Sequence, residues 1–235
     1  MPSRVSILAF VSSFGLRISD FGFRISGLLL TLALPAHAAL YSSGTINQVI
    51  PDGDPNGVAL HMNVSGWGAG DAVSKVNVFF NISGGYNGDY YAYLSYNGIL
   101  VPLLNRVGTS GSDPFGYGNP GFGPTSLGVQ FELSDSGAFS IHNYQDHSPV
   151  YNSNGQLTGT WAPDGGTLSS FNGQQPNGSW TIFFSDQSGG DQGTLVNWSL
   201  EIDSIIPEPI AVALPVFGMV MVAAWGIRSS YKRPA

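Results

Sequence analysis

The chain contains no cysteine among its 235 residues. Zinc fingers and disulfide-held scaffolds need cysteines at fixed spacings, so both classes are excluded. Basic residues are also few: 8 lysines and arginines stand against 15 acidic residues, and only Lys75 and Arg106 lie between residues 39 and 205. The same segment holds 13 of the acidic residues, so it repels a polyanion, and we expect no nucleic-acid partner.

Long apolar runs lie at the two ends of the chain. Residues 210–227 form an apolar run of 18 residues, which as a helix would rise about 27 Å, close to the hydrocarbon thickness of a bilayer. Arg228, Lys232 and Arg233 follow the run, and basic residues mark the cytoplasmic side of a span. The run therefore predicts a transmembrane helix that anchors the chain in the membrane, with the preceding domain facing outward.

The tripeptide Pro207, Glu208 and Pro209 stands directly before this run. The order of tripeptide, span and basic tail over residues 206–235 resembles the PEP-CTERM sorting signal of exopolysaccharide-producing bacteria. The resemblance implies recognition by an exosortase, a membrane enzyme thought to cleave the signal and to release or re-anchor the protein. It makes exopolysaccharide a candidate partner. The alternative is an ordinary tail anchor in which the tripeptide occurs by chance.

The N-terminal run predicts export. An apolar core at residues 28–34 is followed by Ala36, His37 and Ala38, the small-x-small pattern at which signal peptidase cleaves. We expect a signal peptide over residues 1–38 with cleavage after Ala38. Residues 39–205 would then form one exported domain, located at the cell surface or in the extracellular matrix.

Within residues 39–205 the apolar residues alternate with period two. Three runs show this: Val58, Leu60, Met62 and Val64; Val76, Val78, Phe80 and Ile82; and Trp180, Ile182 and Phe184. Alternation predicts strands with one buried face, and no comparable helical stripe is present. Because each sheet must cover that face against another, the pattern predicts an all-β sandwich.

The second half of this domain carries an ordered motif. From Gly178 to Leu200 the chain reads Gly-x-Trp, an Asp, and then Asp-x-Gly-x-Leu-x-x-Trp-x-Leu. Together with the segments 51–58 and 86–98, this resembles the P domain, or P/Homo B domain, of kexin- and furin-like proprotein convertases. The resemblance extends over about residues 50–202 and implies a jelly-roll-like β-sandwich. The chain departs from the family at residues 95–99, where the loop is one residue shorter.

The motif residues have packing roles as well. We expect Trp180 and Trp198 in the sandwich core, each with a hydrogen-bond partner for its indole N–H. We expect Gly88 and Gly193 at turns that need a left-handed φ, with Asp89 accepting backbone N–H groups.

Calcium is the candidate cofactor. Asp52, Asp54 and Asn56 copy the first half of an EF-hand loop. The twelfth position is Asn63 instead of a bidentate Glu, so an EF-hand is not expected. A different calcium site remains open on an acidic extracellular domain, with carboxylates drawn from Asp52, Asp54, Asp89, Asp186 and Asp191.

A short segment resembles catalytic machinery. Gly108, Thr109, Ser110 and Pro114 match the nucleophile segment of subtilisin-like proteases. That chemistry needs a Ser at a helix start, a His base and an orienting Asp, and the glycine-rich residues 115–121 cannot continue a helix. We expect no enzymatic activity, and the alternative is an accessory domain linked to subtilisin-like proteolysis. His142, Asp146 and His147 are a further metal candidate, although their turn-rich segment favours a surface loop.

A glycan-binding module is another alternative. Its candidate residues are Tyr90, Tyr91, Tyr93, Tyr96 and Tyr117, whose rings would stack on sugars. An exposed row of these side chains would favour binding, whereas alternation into the core would weaken this interpretation.

Overall fold

The computed structural model describes residues 36–125, 128 and 130–205. Its strands are β1 Ala36–Ser42, β2 Gln48–Val49, β3 Val58–Val64, β4 Ala72–Gly84, β5 Tyr90–Tyr96, β6 Ile99–Asn105, β7 Gly121–Phe122, β8 Phe131–Ser134, β9 Gly159–Trp161, β10 Gly178–Asp186 and β11 Gly193–Ile205. The helical segments in this part of the chain are short 3₁₀ turns at Asn87–Asp89, Ile141–His147 and Leu168–Phe171. The prediction of an all-β domain is confirmed.

The strands form two sheets. The larger sheet has the order β1-β11-β4-β8-β9, with β2 added to β11 and β7 added to β4. The smaller sheet has the order β3-β10-β5-β6. All pairs are antiparallel except β8 with β9. A two-sheet sandwich is therefore present, and its finer jelly-roll order stays a prediction.

Alternation along the strands decides which side chains enter the core. On β10, Trp180, Ile182 and Phe184 are fully buried, whereas Phe183 between them faces outward and is half-buried. Phe184 meets Phe80 of the larger sheet edge to face, with ring centroids 5.2 Å apart. Aromatic side chains from both sheets thus form one continuous core.

Trp180 is fixed at one end of this core. Its ring stacks on Tyr96 with centroids 4.1 Å apart and an interplanar angle of 4°, and its indole N–H donates to the Pro176 carbonyl at 3.0 Å. Trp198 on β11 is also buried. Both tryptophans lie in the core.

Gly88 and Gly193 do not have the expected left-handed conformation, since neither has a positive φ. They are required for close approach instead. A Cβ on Gly193 would overlap the Tyr90 hydroxyl, and one on Gly88 would overlap the Phe115 carbonyl oxygen. The sequence pattern identified the right glycines but the wrong physical reason.

The predicted signal peptide lies outside the described residues except for its end. Pro207, Glu208, Pro209 and the helix predicted over residues 210–227 also lie outside them. Ala36 and Ala38, at the expected cleavage site, belong to β1 and pair with β11. No helix within the described ranges is long and apolar enough to cross a membrane.

Candidate functional site

Four loops meet at one end of the sandwich: residues 51–57, 86–89, 106–118 and 187–192. The Gly190 N–H donates to both carboxylate oxygens of Asp52, at 3.0 and 3.1 Å. The Gln187 N–H donates to the Asp89 carbonyl at 2.8 Å, and the Gly88 N–H donates to the Tyr117 carbonyl at 2.8 Å. These bonds bring most of the predicted acidic residues into one region, which we call the loop end.

Two carboxylates at the loop end are buried. Asp186 is fully buried, and its Oδ1 accepts the Ser188 N–H at 3.0 Å, whereas its Oδ2 has no hydrogen-bond partner among the described residues. Burial raises the pKa of Asp186. Burial and the neighbouring charge of Asp186 raise the pKa of Asp89 to about 6, although Arg106 partly opposes this.

The acids predicted to bind calcium are only partly brought together. Asp52, Asp186 and Asp191 all act electrostatically on Asp89. Asp54 instead bonds within its own turn, accepting from the backbone N–H and the side chain of Asn56 at 2.9 and 2.8 Å. Within the described ranges, no three His, Asp or Glu side chains group closely enough to hold a metal. The calcium set stays a prediction: one Asp186 oxygen has no hydrogen bond by geometry, but the Gly53 N–H interacts with the same carboxylate and lowers its pKa.

Two clefts open at the loop end. The first, here called the aromatic cleft, has a volume of about 460 Å³ and is lined by Pro55, Tyr91, Asn105, Arg106, Phe183 and Gln187. The second, here called the acidic cleft, has a volume of about 330 Å³ and is lined by Tyr86, Asp89, Phe115, Gly116, Tyr117, Gly118, Ser188 and Gly189. The acidic cleft gives access to one of the two buried carboxylates.

Four of the five tyrosines proposed to stack on sugars lie on β5 and divide between its two faces, whereas Tyr117 lies in the loop 106–118 and packs edge to face on Tyr144. Tyr90 and Tyr96 point into the core and are buried, and this alternation weakens the interpretation of the five tyrosines as one exposed row. Tyr91 and Tyr93 face outward and are half-buried. Phe183 lies beside Tyr93 across the strand pair. Sequence reasoning missed Phe183, because only the register between β5 and β10 makes it a neighbour of these tyrosines.

The hydrogen bonds of Ser110 and His142 do not join them as the nucleophile and base of a protease site. The Ser110 Oγ accepts the N–H groups of Ser112 and Asp113, at 3.3 and 3.0 Å. His142 contacts the Asp164 carboxylate through Nδ1 at 2.8 Å and the Thr109 carbonyl through Nε2 at 3.0 Å. The Thr109 carbonyl can only accept, so Nε2 donates to it, and a carboxylate at Nδ1 favours the protonated form of the ring.

The electrostatics of His142 agree with this geometry. Burial lowers the pKa of His142, but Asp164 and the Thr109 carbonyl outweigh it, and the net shift is upward. His147, which was considered as a metal ligand with His142, instead stacks on Phe139 with ring centroids 3.7 Å apart. Both histidines make structural contacts, in a segment that forms a 3₁₀ turn with Ile141 and Tyr144 buried.

The family comparison then locates the motif. Residues 136–202 match the model of the proprotein convertase P-domain. The match takes in β9, β10, the loop 187–192 and β11 as far as Ile202. It is shorter than the resemblance over residues 50–202, and it leaves the first half of the sandwich, including β5, outside.

Solved structures show weak similarity to this chain. They include the serine protease of Aeromonas sobria in complex with a chaperone (15% identity, TM-score 0.41, 73% of this chain) and the same protease alone (14% identity, TM-score 0.40, 72% of this chain). The chain spans only 27% of the length of each. No curated protein matches the chain.

Proposed function

We propose that this chain is an exported, non-catalytic module of the P-domain type, acting at the bacterial cell surface or in the extracellular matrix. The match of residues 136–202 to the P-domain carries the proposal. A non-catalytic role is supported by Ser110, whose Oγ accepts the N–H groups of Ser112 and Asp113, and by the Nε2 of His142, which contacts the Thr109 carbonyl and not the Ser110 hydroxyl. A P-domain accompanies a convertase, so the second candidate is an accessory domain in subtilisin-like proteolysis.

Sorting is the other part of the proposal. It rests on the sequence of residues 206–235, in which Pro207, Glu208 and Pro209 precede an apolar run and a basic tail. An exosortase would recognise the tripeptide, the helix 210–227 would hold the precursor in the membrane, and exopolysaccharide would surround the mature protein.

One expression experiment tests both parts. The full chain and its Pro207→Ala, Glu208→Ala, Pro209→Ala variant are produced in a bacterium that has an exosortase. We expect tail cleavage in the wild type, an uncleaved membrane-held precursor in the variant, and no hydrolysis of a peptide panel by either. Mass spectrometry and a fluorogenic peptidase assay give the two readouts.

Each readout has its own contradicting result. Identical maturation of the two chains would favour the plain tail anchor and remove the exosortase. Hydrolysis that disappears in Ser110→Ala would overturn the non-catalytic assignment. Hydrolysis by a separate protease that increases when the chain is added would favour the accessory domain.

Calcium is proposed at the acidic cleft, and its effect should depend on pH. The folded pKa of Asp89, about 6, lies above its ordinary value of 3.8. The folded state therefore binds more protons than the unfolded state between these values, and the free energy of unfolding falls as pH rises through this window. A bound cation would offset this loss at neutral pH, because a ligand of the folded state alone adds stability.

We therefore expect millimolar calcium to raise the melting temperature at pH 7 and to have little effect at pH 4. Asp89→Asn should raise the calcium-free melting temperature at pH 7 and reduce the calcium response. Asp203→Asn, at a half-buried carboxylate of β11 outside the loop end, is the matched control and should respond to calcium as wild type does. Calorimetric melting curves with calcium and with chelator measure this. A melting temperature that neither calcium nor chelator changes would remove calcium from the proposal.

A further inference from the structure

Three aromatic side chains form a continuous group on the outer face of the smaller sheet. Tyr93 and Phe183 are directly paired across β5 and β10, and their rings stack with centroids 4.8 Å apart and an interplanar angle of 14°. Tyr91 meets Tyr93 edge to face at 6.3 Å. We call Tyr91, Tyr93 and Phe183 the aromatic platform. The larger core aromatics lie on the other face of these strands, so the platform is additional to what the sandwich needs for packing.

The aromatic cleft adds polar groups beside the platform. Asn105 lies opposite Tyr91 on β6 and is exposed, and its side-chain amide has no hydrogen bond within the described ranges. Gln187 is also exposed, and its Nε2 donates to the Ser185 hydroxyl at 2.6 Å. Its Oε1 accepts no hydrogen bond from the residues that the structure describes. Amides both donate and accept, as sugar hydroxyls do. The cleft volume of about 460 Å³ is within the usual range for small-molecule sites.

Charge distinguishes between classes of sugar. The segment 39–205 carries 13 acidic and two basic residues, so it repels an anionic polymer at long range. Arg106 lines the cleft, but its Nε and Nη2 donate to the carbonyls of Gly88 and Pro114, at 3.3 and 2.9 Å. Its charge is used to hold the loop end together. No carboxylate lines the aromatic cleft, so nothing there recruits a cationic partner.

We propose that the aromatic cleft binds a hexopyranose unit of a neutral polysaccharide. The apolar face of the sugar ring would lie against the platform, and its hydroxyl groups would bond to the amides of Asn105 and Gln187. The proposal deepens the proposed function, because a non-catalytic surface module acts through what it binds.

Isothermal titration calorimetry tests this with the full chain, kept in a detergent that has no sugar headgroup. The probes are cellohexaose, laminarihexaose and mannohexaose, with hexagalacturonate as the anionic probe. We expect at least one neutral hexasaccharide to bind with a Kd in the millimolar range or tighter, and hexagalacturonate to bind more weakly. Tyr93→Ala and Phe183→Ala should each weaken binding roughly tenfold, because each removes a stacking surface.

Two further variants separate binding from folding. Tyr93→Phe retains the ring and should bind as wild type. Phe139→Ala removes a half-exposed aromatic ring that does not line the cleft and that stacks on His147, and should also leave binding unchanged. The melting temperature of each variant is measured by circular dichroism. Binding is then compared at the same number of degrees below that temperature.

Several outcomes would overturn the inference. These are an absence of binding by all three neutral probes at millimolar concentration, binding that survives both alanine variants, or a preference for hexagalacturonate. Self-association in sedimentation experiments that Tyr93→Ala abolishes would assign the platform to contact between copies of the chain. None of these results bears on peptidase activity or tail cleavage, so the proposed function would fail or stand separately.

Discussion

Trp180→Ala is expected to lower the free energy of unfolding by about 3–5 kcal/mol, the usual cost of emptying a buried aromatic site. The side chain is fully buried, stacks on Tyr96 at 4.1 Å and lies 5.0 Å from Phe171. Its removal also leaves the Pro176 carbonyl without the indole donor. Denaturant unfolding followed by circular dichroism measures the change, and Trp198→Ala should have an effect of similar size because Trp198 is equally buried.

Ser110→Ala is the control for this measurement. Ser110 is exposed, and its hydroxyl only closes a local turn with Ser112 and Asp113. We expect its unfolding curve to remain within about 1 kcal/mol of wild type. A Trp180→Ala protein as stable as Ser110→Ala would mean that the stacked pair with Tyr96 does not form part of the core.

Gly57→Ala is expected to lower the free energy of unfolding by about 2–4 kcal/mol, since overpacking adds to the cost of a left-handed residue. Gly57 has a φ of 52°, and a Cβ there would overlap the Phe184 carbonyl oxygen and press on Ser185 and Phe183. The obstructing atom belongs to the backbone of β10, which cannot move without breaking its pairing with β3. Thermal and denaturant unfolding would detect the change.

Gly44→Ala is the matched control, because Gly44 has a similar φ of 63° but nothing within 4 Å of the added Cβ. The difference between the two variants isolates the steric overlap from the backbone strain. We expect Gly44→Ala to cost about 1 kcal/mol, which is the strain alone. Equal losses in the two variants would show that the loop 51–57 moves away from β10.

The strands were predictable because burial of one face imposes a period of two on the sequence. Val58–Val64 and the alternation through Trp180 and Phe184 appear as β3 and β10 with the expected face inward. The motif glycines were found, but their role was not. Whether a glycine is needed for its φ or for the approach of Tyr90 depends on a residue about 100 positions away, which the local pattern does not contain.

The candidate site was predictable only for residues within motifs. Asp89 and Asp186 belong to recognisable segments, so they were named from the sequence. Phe183, Asn105 and Gln187 were not, because they come together through the registers of β5 with β10 and with β6. Alternation shows that Phe183 points away from Trp180, but it does not show which side chain lies beside it.

The length of β11 sets the distance between the loop end and Ile205. The strand begins at Gly193, next to the loop end, and continues for 13 residues to Ile205, a rise of about 43 Å at roughly 3.3 Å per residue. The tail that would anchor the chain starts where this strand finishes. In the proposed membrane-held form, about 40 Å of strand would separate the loop end from Ile205, after which the tail begins.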